Sequence, residues 1–291
     1  MGYALISSAA ILFSLQFLFQ NNYKKIYGSG VKDGLNFQMY VSLIGAAIIF
    51  IISLIVEKKP LGFSPFTLAT AFVYAVITIS FSVISLKAMQ TANVALFSTF
   101  AMLGGMVIPF LYGVIANGEA VNAKKIAGLT LIAAALIVSA LKKESENKSK
   151  KAYLYYAAVF LLNGAFGAIS AFHQSPAFSE LAAGGYALMV YAQLFAFILS
   201  ALALAAIKGG AQKPSAKILQ ITSLYAAFNG VGNLFTVLAL LTIPASVQYP
   251  VITGGTIIIS SAIAMISEKK FMIKYAVTAL ISLAATILFV A

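Results

Sequence analysis

The sequence contains no cysteine, no tryptophan and no arginine, and it has few charged residues of any kind. Without cysteine, the chain cannot form a disulfide, a thiolate nucleophile or a cysteine-ligated metal site. Of its 291 residues, 9% are charged and 62% are hydrophobic, whereas a soluble domain carries roughly 25% charged and 45–50% apolar residues. A chain of this composition cannot cover a water-facing surface, and this excludes soluble enzymes and nucleic-acid-binding proteins.

The few charges are clustered, and they divide the chain into hydrophobic segments. A helix of about 20 apolar residues spans a membrane. Ala, Leu, Ile and Phe dominate these segments, and no alternating strand pattern is present. We therefore predict an all-α integral membrane protein with ten transmembrane helices, near residues 3–20, 35–56, 64–86, 92–116, 125–141, 152–173, 184–207, 216–240, 245–266 and 273–290. The first segment has no basic residue before Lys24, so we expect a retained span rather than a cleaved signal.

The most polar stretch, residues 142–151, lies at the midpoint of the chain. It separates an N-terminal half, residues 1–141, from a C-terminal half, residues 152–291, with five predicted helices in each. Because five crossings bring the chain to the opposite face of the membrane, the second half would be inserted upside-down. This 5+5 inverted repeat is typical of many secondary transporters.

An internal alignment at an offset of 149–151 residues supports a duplication. Glu119 coincides with Glu268, and the pair Gly104-Gly105 coincides with Gly254-Gly255. The coincidences in the third and eighth segments are Tyr74 with Tyr225, Thr78 with Asn229, Ser82 with Asn233 and Ser85 with Thr236.

Residues 86–140 and 238–291 share a further pattern. Each has an Ala-rich helix, a Glu at its end, a short turn and a small-residue helix that begins near Gly128 or Val277. In this pattern the chain resembles the EamA-like ten-helix branch of the drug/metabolite transporter superfamily, over nearly its whole length. The resemblance implies a transporter that moves small metabolites, amino acids or drugs through a central cavity between two repeats.

The chain departs from that family at several positions. Many relatives begin the second helix with an arginine and carry a Trp-Gly pair in the first, where this chain has Phe37-Gln38 and Phe13-Ser14. The four-helix relatives that expel cationic drugs use a Glu inside the first helix, and residues 1–23 contain none. We therefore do not expect proton-coupled cation efflux by that mechanism.

Polar side chains recur at helical spacing on one face of the third segment and one face of the eighth. Lipid cannot satisfy polar groups, so the two faces are predicted to line a cavity. The alternative is that Ser and Thr bond to their own helix and that Asn joins two neighbouring helices. The candidates on these faces are Tyr74, Thr78 and Ser82, and Tyr225, Asn229 and Asn233. Further candidates in other segments are Gln16, Ser98, Asn163, Gln193, Gln248 and Tyr249.

Other notable residues have simpler interpretations. We expect Glu119 and Glu268 to form ion pairs at the membrane interface, with gating as the alternative. The two Gly–Gly pairs are expected to pack helices closely rather than to bind a ligand. His173 is expected to be structural, and proton sensing is its alternative role.

The predicted cavity is nearly uncharged, with amide, hydroxyl and phenol groups beside Phe side chains. It suits a neutral or zwitterionic metabolite, amino-acid-like or aromatic, whereas a phosphorylated substrate would require buried Lys or Arg. We predict a secondary transporter that works by alternating access. A non-transporting scaffold or receptor and a drug exporter of broad specificity are the alternatives. The sequence shows no catalytic motif, so we predict no enzyme activity, no catalytic residue, no metal and no cofactor.

The lysines also predict the orientation in the membrane. Fifteen of the 19 lie in loops after odd-numbered segments, and the positive-inside rule places these loops and the central linker in the cytoplasm. Both termini would then lie outside a cell membrane. We expect the lysines to contact anionic lipid headgroups, no nucleic-acid partner, and a monomer or homodimer.

Overall fold

The computed structural model describes residues 1–91, 94–140, 150–267 and 273–290. In these parts the protein is all-helical, with ten α-helices, one short 3-10 helix and no strand. The α-helices are α1 Gly2–Tyr27, α2 Val31–Glu57, α3 Pro65–Thr91, α4 Val94–Ala116, α5 Ala123–Ala140, α6 Lys150–His173, α7 Gly185–Ala206, α8 Ala216–Ala239, α9 Ala245–Ser267 and α10 Ile273–Val290.

The ten helices coincide with the predicted segments, although α1 extends seven residues beyond its predicted end and α3 extends five. Eight of them, all except α5 and α10, contain a stretch long and apolar enough to cross a membrane, and α10 contributes a shorter apolar helix, Tyr275–Val290. The break without charge between the eighth and ninth segments is confirmed, because α8 ends at Ala239 and α9 begins at Ala245. Residues 142–149 of the predicted linker lie outside the described residues, and α6 already begins at Lys150.

Helices from the two halves of the chain pack against one another throughout the molecule. Helix α1 packs on α8 and α9, and α6 packs on α3 and α4. Helix α2 contacts α7 and α8, while α3 contacts α7. Two further pairs, α4 with α9 and α5 with α10, also join the halves. The apolar core is therefore built between the halves as much as within them.

Glycines allow the closest of these helix contacts. A Cβ on Gly104 in α4 would lie 1.9 Å from the carbonyl oxygen of Phe160 in α6, and a Cβ on Gly254 would lie 2.3 Å from Oγ1 of Thr286 in α10. Neither position has room for a side chain. Both Gly–Gly pairs therefore include a residue on which close helix packing depends, in agreement with the packing interpretation.

Hydrogen bonds identify the helix ends that lie together. Lys24 Nζ at the end of α1 donates to the Met89 carbonyl at the end of α3, at 3.1 Å. Lys32 Nζ at the start of α2 donates to the Gly209 carbonyl in the α7–α8 loop, at 3.0 Å. We call this the lysine-rich end. At the opposite end, the Tyr191 hydroxyl on α7 donates to the Gly62 carbonyl in the α2–α3 loop, at 3.1 Å.

Candidate binding cavity

A cavity lies between eight helices, α1–α4 and α6–α9, near the middle of their lengths. Its volume, taken as the space open to the centres of water-sized spheres, is about 120 Å³. A cavity of about 150 Å³ can hold a benzene molecule, so a cavity of this volume is of the size that a small organic molecule needs. The lining residues are Phe13, Gln16, Gln38, Tyr74, Thr78, Phe81, Ser82, Met102, Gly105, Asn163, Phe166, Gly167, Ser170, Gln193, Tyr225, Asn229, Asn233, Thr236, Tyr249, Ile252, Thr253 and Thr256.

Most residues predicted from the sequence meet in this cavity. Ten of the twelve candidates line it: Gln16, Tyr74, Thr78, Ser82, Asn163, Gln193, Tyr225, Asn229, Asn233 and Tyr249. The polar faces of α3 and α8 thus point into the same space. The side chain of Ser98 lies outside the described part of the structure. Gln248 does not line the cavity. It is fully buried, and its Nε2 donates to the Thr236 carbonyl of α8 at 2.7 Å.

Three amide side chains form one wall of the cavity, which we call the amide wall: Gln16 on α1, and Asn229 and Asn233 on α8. Asn229 Nδ2 donates to Gln16 Oε1, across the contact between the two helices. Asn233 Nδ2 donates to the Asn229 carbonyl one turn earlier, at 2.8 Å. The Tyr74 hydroxyl on α3 donates to Asn233 Oδ1 at 3.5 Å. The wall therefore connects three helices from both halves of the chain.

A second polar group, on α2 and α3, is internally satisfied. The Ser82 hydroxyl donates to Gln38 Oε1, and Gln38 Nε2 donates to the Ser42 hydroxyl at 2.5 Å. Gln38 is 2% exposed, so most of its bonding capacity is spent within the protein. In the sequence, Gln38 stands out only as part of a departure from the family pattern. An amide within an otherwise apolar span was the available signal that it belongs to the cavity.

Aromatic side chains cover the part of the cavity formed by α3 and α6. The Phe81 and Phe166 rings meet edge to face with centroids 5.5 Å apart, and Phe166 lies 5.2 Å from the Tyr74 ring. Met102 on α4 and Phe13 on α1 add further apolar lining. Their positions could not be read from periodicity, because apolar residues occur on every face of these helices.

Some predicted candidates line the cavity, but one of their polar groups already forms a hydrogen bond to the protein backbone. Asn163 Nδ2 donates to the Ala101 carbonyl of α4 at 2.6 Å. The Tyr249 hydroxyl donates to the Gly167 carbonyl of α6 at 3.0 Å, and the Thr78 hydroxyl donates within its own helix. For these side chains the structure favours the alternative role of joining helices or bonding back to the same helix.

One lining residue keeps a buried polar atom without a partner among the described residues. Gln193 on α7 is 5% exposed, and its buried Oε1 accepts no hydrogen bond. Tyr225 and Thr253, each with a hydroxyl, also line the cavity. The Gln193 oxygen is available to a bound molecule.

An aromatic cluster separates the cavity from the lysine-rich end. It consists of Tyr23 on α1, Phe37 on α2 and Tyr225 on α8. The Phe37 ring lies 4.7 Å from the Tyr23 ring and 4.8 Å from the Tyr225 ring, between centroids. Tyr23 and Phe37 are completely buried, and Tyr225 is 6% exposed while also lining the cavity. The cavity is therefore closed towards this end.

Glu119 has a role that neither of its predicted interpretations described. Its Oε1 accepts from the Ala245 N–H at 3.0 Å, and its Oε2 accepts from the Ser246 N–H at 2.7 Å. The first N–H groups of a helix have no intrahelical partner, so Glu119 caps α9 from the α4–α5 loop. Lys125 Nζ also donates to the Ser246 hydroxyl at 3.0 Å. Glu268 lies outside the described residues.

His173 is fully buried at the end of α6 and does not line the cavity. Its Nε2 lies 2.9 Å from Oγ1 of Thr67 at the start of α3, and its ring stacks on Phe66 at 5.5 Å. These contacts join α6 to α3 at the end of the bundle opposite the lysine-rich end. They favour the structural interpretation of this histidine.

The lining is uncharged within the described residues, since no Asp, Glu or Lys is part of it. No group of three or more His, Asp or Glu side chains in the described parts could hold a metal ion. The cavity can therefore offer a bound molecule neutral hydrogen-bonding groups on one side and aromatic rings on another.

No family model and no curated protein matches the chain. A solved structure described only as "Crystal structure of protein" has a similar fold, with a TM-score of 0.78 and 12% sequence identity. The similarity covers 99% of this chain and 95% of that chain. At this identity it concerns the fold alone, and it shows that this helix arrangement recurs in a protein of nearly the same extent.

Proposed function

We propose that the chain is a secondary transporter, which moves a small neutral or zwitterionic metabolite across a cell membrane by alternating access. The observation that carries this proposal is the uncharged polar cavity midway along helices of membrane-spanning length. Polar groups at membrane depth are costly unless they face protein or a pathway. A pathway for a small polar solute accounts for their convergence on one cavity.

The packing of the helices supports a 5+5 inverted repeat. If each helix of the first half is exchanged for the one five positions later, the contacts map onto one another. The pair α1–α8 becomes α6–α3, α4–α6 becomes α9–α1, and α2–α8 becomes α7–α3. The pairs α2–α7, α4–α9 and α5–α10 map onto themselves. A pseudo-twofold axis between the halves would produce this pattern, and transporters of this kind bind substrate at such an axis.

The two ends of the proposed pathway differ, as alternating access requires. At the lysine-rich end, Gln20 Nε2 on α1 donates to the Ser85 hydroxyl on α3 at 2.7 Å, beside the aromatic cluster. The equivalent helices α6 and α8 are joined at the other end by a longer hydrogen bond, in which Gln174 Nε2, directly after α6, donates to the Val237 carbonyl of α8 at 3.3 Å. In this proposal the structure is closed towards the lysine-rich end, and transport requires that contact to open.

The resemblance to EamA-like members of the drug/metabolite transporter superfamily supports the same function. The positive-inside rule would place the lysine-rich end and the linker in the cytoplasm, so the closed end would be the cytoplasmic one. The lining has no buried cation for a phosphate group, which supports a neutral or zwitterionic metabolite. Apolar rings on one side of the cavity suit a substrate with an apolar part.

Substrate-dependent counterflow in proteoliposomes tests the function. The substrate is first identified by screening metabolites for thermal stabilisation of the purified protein, because a ligand that binds the native state stabilises it. The wild-type protein should exchange that substrate. The Asn229→Ala and Asn233→Ala variants should fold and lose exchange, because each removes part of the amide wall.

Ser80→Ala is the matched control for these variants. The Ser80 hydroxyl donates to the Val76 carbonyl of its own helix at 2.8 Å, and Ser80 does not line the cavity. Exchange should therefore be unchanged in this variant. A wild-type protein that binds a metabolite but never exchanges it would instead indicate a receptor or scaffold and would overturn the proposal.

A further inference from the structure

The amide wall has more free donors than free acceptors. A side-chain amide carries two N–H groups and one oxygen. Asn229 and Asn233 each donate one N–H to the protein, so each keeps one. Gln16 accepts through Oε1 and donates to no described group, so it keeps both of its N–H groups. The side-chain oxygens of Gln16 and Asn233 are already engaged by Asn229 and Tyr74. Oδ1 of Asn229 is then the one amide oxygen of the wall without a donor among the described residues, against four free N–H groups.

The hydrogen bonds also determine where the donors and acceptors of the amide wall point. Gln16 Oε1 faces Asn229, and Asn233 Oδ1 faces the Tyr74 hydroxyl, so two of the three amide oxygens are directed at protein groups. The remaining N–H groups are then left for the cavity. A molecule bound there meets N–H donors from two helices, with the hydroxyls of Tyr225 and Thr253 nearby.

The same region has no partner for a cation. No Asp or Glu occurs in residues 1–23, 60–86 or 218–267, the stretches that contribute the amide wall and its neighbours. An ammonium group taken from water into this cavity would be without a carboxylate, and a buried charge without a partner is costly. The excess of lysines over acidic residues, a net charge of +12, also favours the approach of anions over cations.

We propose that the amide wall binds the carboxylate end of a small substrate, and that the cavity provides no carboxylate to pair with the substrate's amino group, if it has one. This inference rests on the proposed function and makes it more specific. Hydrogen bonds from neutral N–H groups to an ionised acceptor are stronger than those to a neutral one. The apolar body of the substrate then lies against Phe81 and Phe166, on the other side of the cavity. We expect the substrate to carry only one carboxylate, because no lysine lines the cavity to balance a second negative charge.

Three probes with one carbon skeleton test this inference. They are leucine, its deaminated analogue 4-methylpentanoate and its decarboxylated analogue 3-methylbutylamine. The measurement is the temperature at which half of the detergent-purified full-length protein is lost from its size-exclusion peak. 4-Methylpentanoate should raise this temperature at least as much as leucine does, because leucine also brings an unpaired ammonium group into the cavity. 3-Methylbutylamine should not raise it.

A change of charge at one residue provides the decisive variant. Asn229→Asp keeps the shape of the side chain and adds a negative charge to the wall. The apparent Kd for 4-methylpentanoate should rise at least about tenfold, and 3-methylbutylamine should now stabilise the protein. Gln16→Glu makes the same change from α1 and replaces the first variant if Asn229→Asp does not fold.

Asn122→Asp is the matched control. Asn122 is exposed in the α4–α5 loop, where its Oδ1 accepts from the Lys125 N–H at 2.9 Å, and Asp is equally good in this capping role. This variant should respond to the three probes as the wild type does. A similar response would show that an added charge elsewhere does not change selectivity.

Three results would overturn the inference: stabilisation of the wild type by the amine as strongly as by the acid, no stabilisation by any of the three probes, or an unchanged response in the charged variants. None of these results would contradict the proposed transport function. A wild-type protein that exchanges another solute in counterflow but ignores 4-methylpentanoate would remain a transporter without a carboxylate site. If no stabilising metabolite is exchanged in the counterflow assay, the proposed transport function is wrong.

Discussion

Residues of the same type have different roles in this protein, according to the partner that each one meets. Asn163 and Asn229 both lie within helices and both line the cavity. Asn163 donates to the backbone of α4, whereas Asn229 donates to a side chain, Gln16, that itself faces the cavity. Only the second arrangement leaves a group of polar atoms that a substrate can use. Glu119 is a further example, because its partners are backbone N–H groups.

The capping role of Glu119 leads to a prediction about stability. Glu119→Gln replaces a carboxylate that accepts two N–H bonds with an amide that has one oxygen, so part of the cap is lost. Removal of a helix cap costs about 1 kcal/mol, and the loss of negative charge at a helix N-terminus adds to this cost. We expect a lower melting temperature and faster hydrogen exchange at Ala245 and Ser246.

Glu180→Gln is the control for this prediction. Glu180 is exposed in the α6–α7 connection and makes no hydrogen bond or ion pair with the described residues. The Glu180→Gln variant should have the same melting temperature as the wild type. Equal melting temperatures for Glu119→Gln and the wild type would contradict the capping role. The readout should be size exclusion after heating, because the chain has neither Trp nor Cys for the usual fluorescence assays.

At the scale of helices, small residues determine how closely two elements approach. Helix α4 packs on α6 through Gly104 and Gly105, and α6 contributes Gly164, whose added Cβ would lie 2.3 Å from Cδ1 of Ile108. The Asn163 side chain occupies the space beside Gly105, since a Cβ on Gly105 would lie 2.5 Å from Asn163 Nδ2. Close approach of α4 and α6 thus positions one side of the cavity.

The same substitution at two glycines tests this dependence. Gly104→Ala would place a methyl group 1.9 Å from the Phe160 carbonyl oxygen, and because that atom belongs to the backbone, the helices must separate. We expect a loss of about 3 kcal/mol or more, above the usual range for overpacking. Gly230→Ala places its methyl group 3.7 Å from Ile49 Cδ1, an ordinary contact.

The Gly230→Ala variant should be as stable as the wild type, or more stable by about 0.5–1 kcal/mol, because alanine favours a helix over glycine. Melting temperatures of both variants in one detergent provide the comparison. Similar stability of the two variants would mean that α4 and α6 can separate without cost, contrary to the packing described.

At the scale of the whole molecule, the charges are arranged at the ends and the polar groups in the middle. The lysine-rich end joins the ends of α1 and α3, the start of α2 and the α7–α8 loop. The aromatic cluster closes the cavity towards that end. The orientation of the protein therefore decides from which side of the membrane the cavity in this structure can be reached.

Single cysteines test the orientation without background, because the chain contains none. Asn122→Cys and Lys213→Cys place a thiol in exposed loops at the two ends of the bundle. If the lysine-rich end is cytoplasmic, a membrane-impermeant maleimide added to intact cells should label the Asn122→Cys variant only. Both variants should be labelled after permeabilisation. Labelling of the Lys213→Cys variant alone in intact cells would reverse the proposed orientation.

Much of the fold and most of the polar cavity lining could be predicted from the sequence. The positions of the helices follow from long apolar segments, and the faces of α3 and α8 follow from polar residues at helical spacing. The aromatic lining, Phe81 and Phe166, could not be distinguished from the apolar residues that face lipid. Gln248 was predicted to bind substrate as a polar residue within an apolar segment, yet the structure buries it against the α8 backbone.

Composition and order along the chain were sufficient to establish a helical membrane protein with an uncharged interior, because the cost of placing polar groups in lipid acts on each segment separately. Which amides remain free for a ligand was decided only by the tertiary structure. A hydrogen bond depends on the distance between two helices that are remote in sequence, such as Gln16 on α1 and Asn229 on α8. The same holds for the cap that Glu119 provides to α9, since no local pattern indicates which loop will meet which helix end.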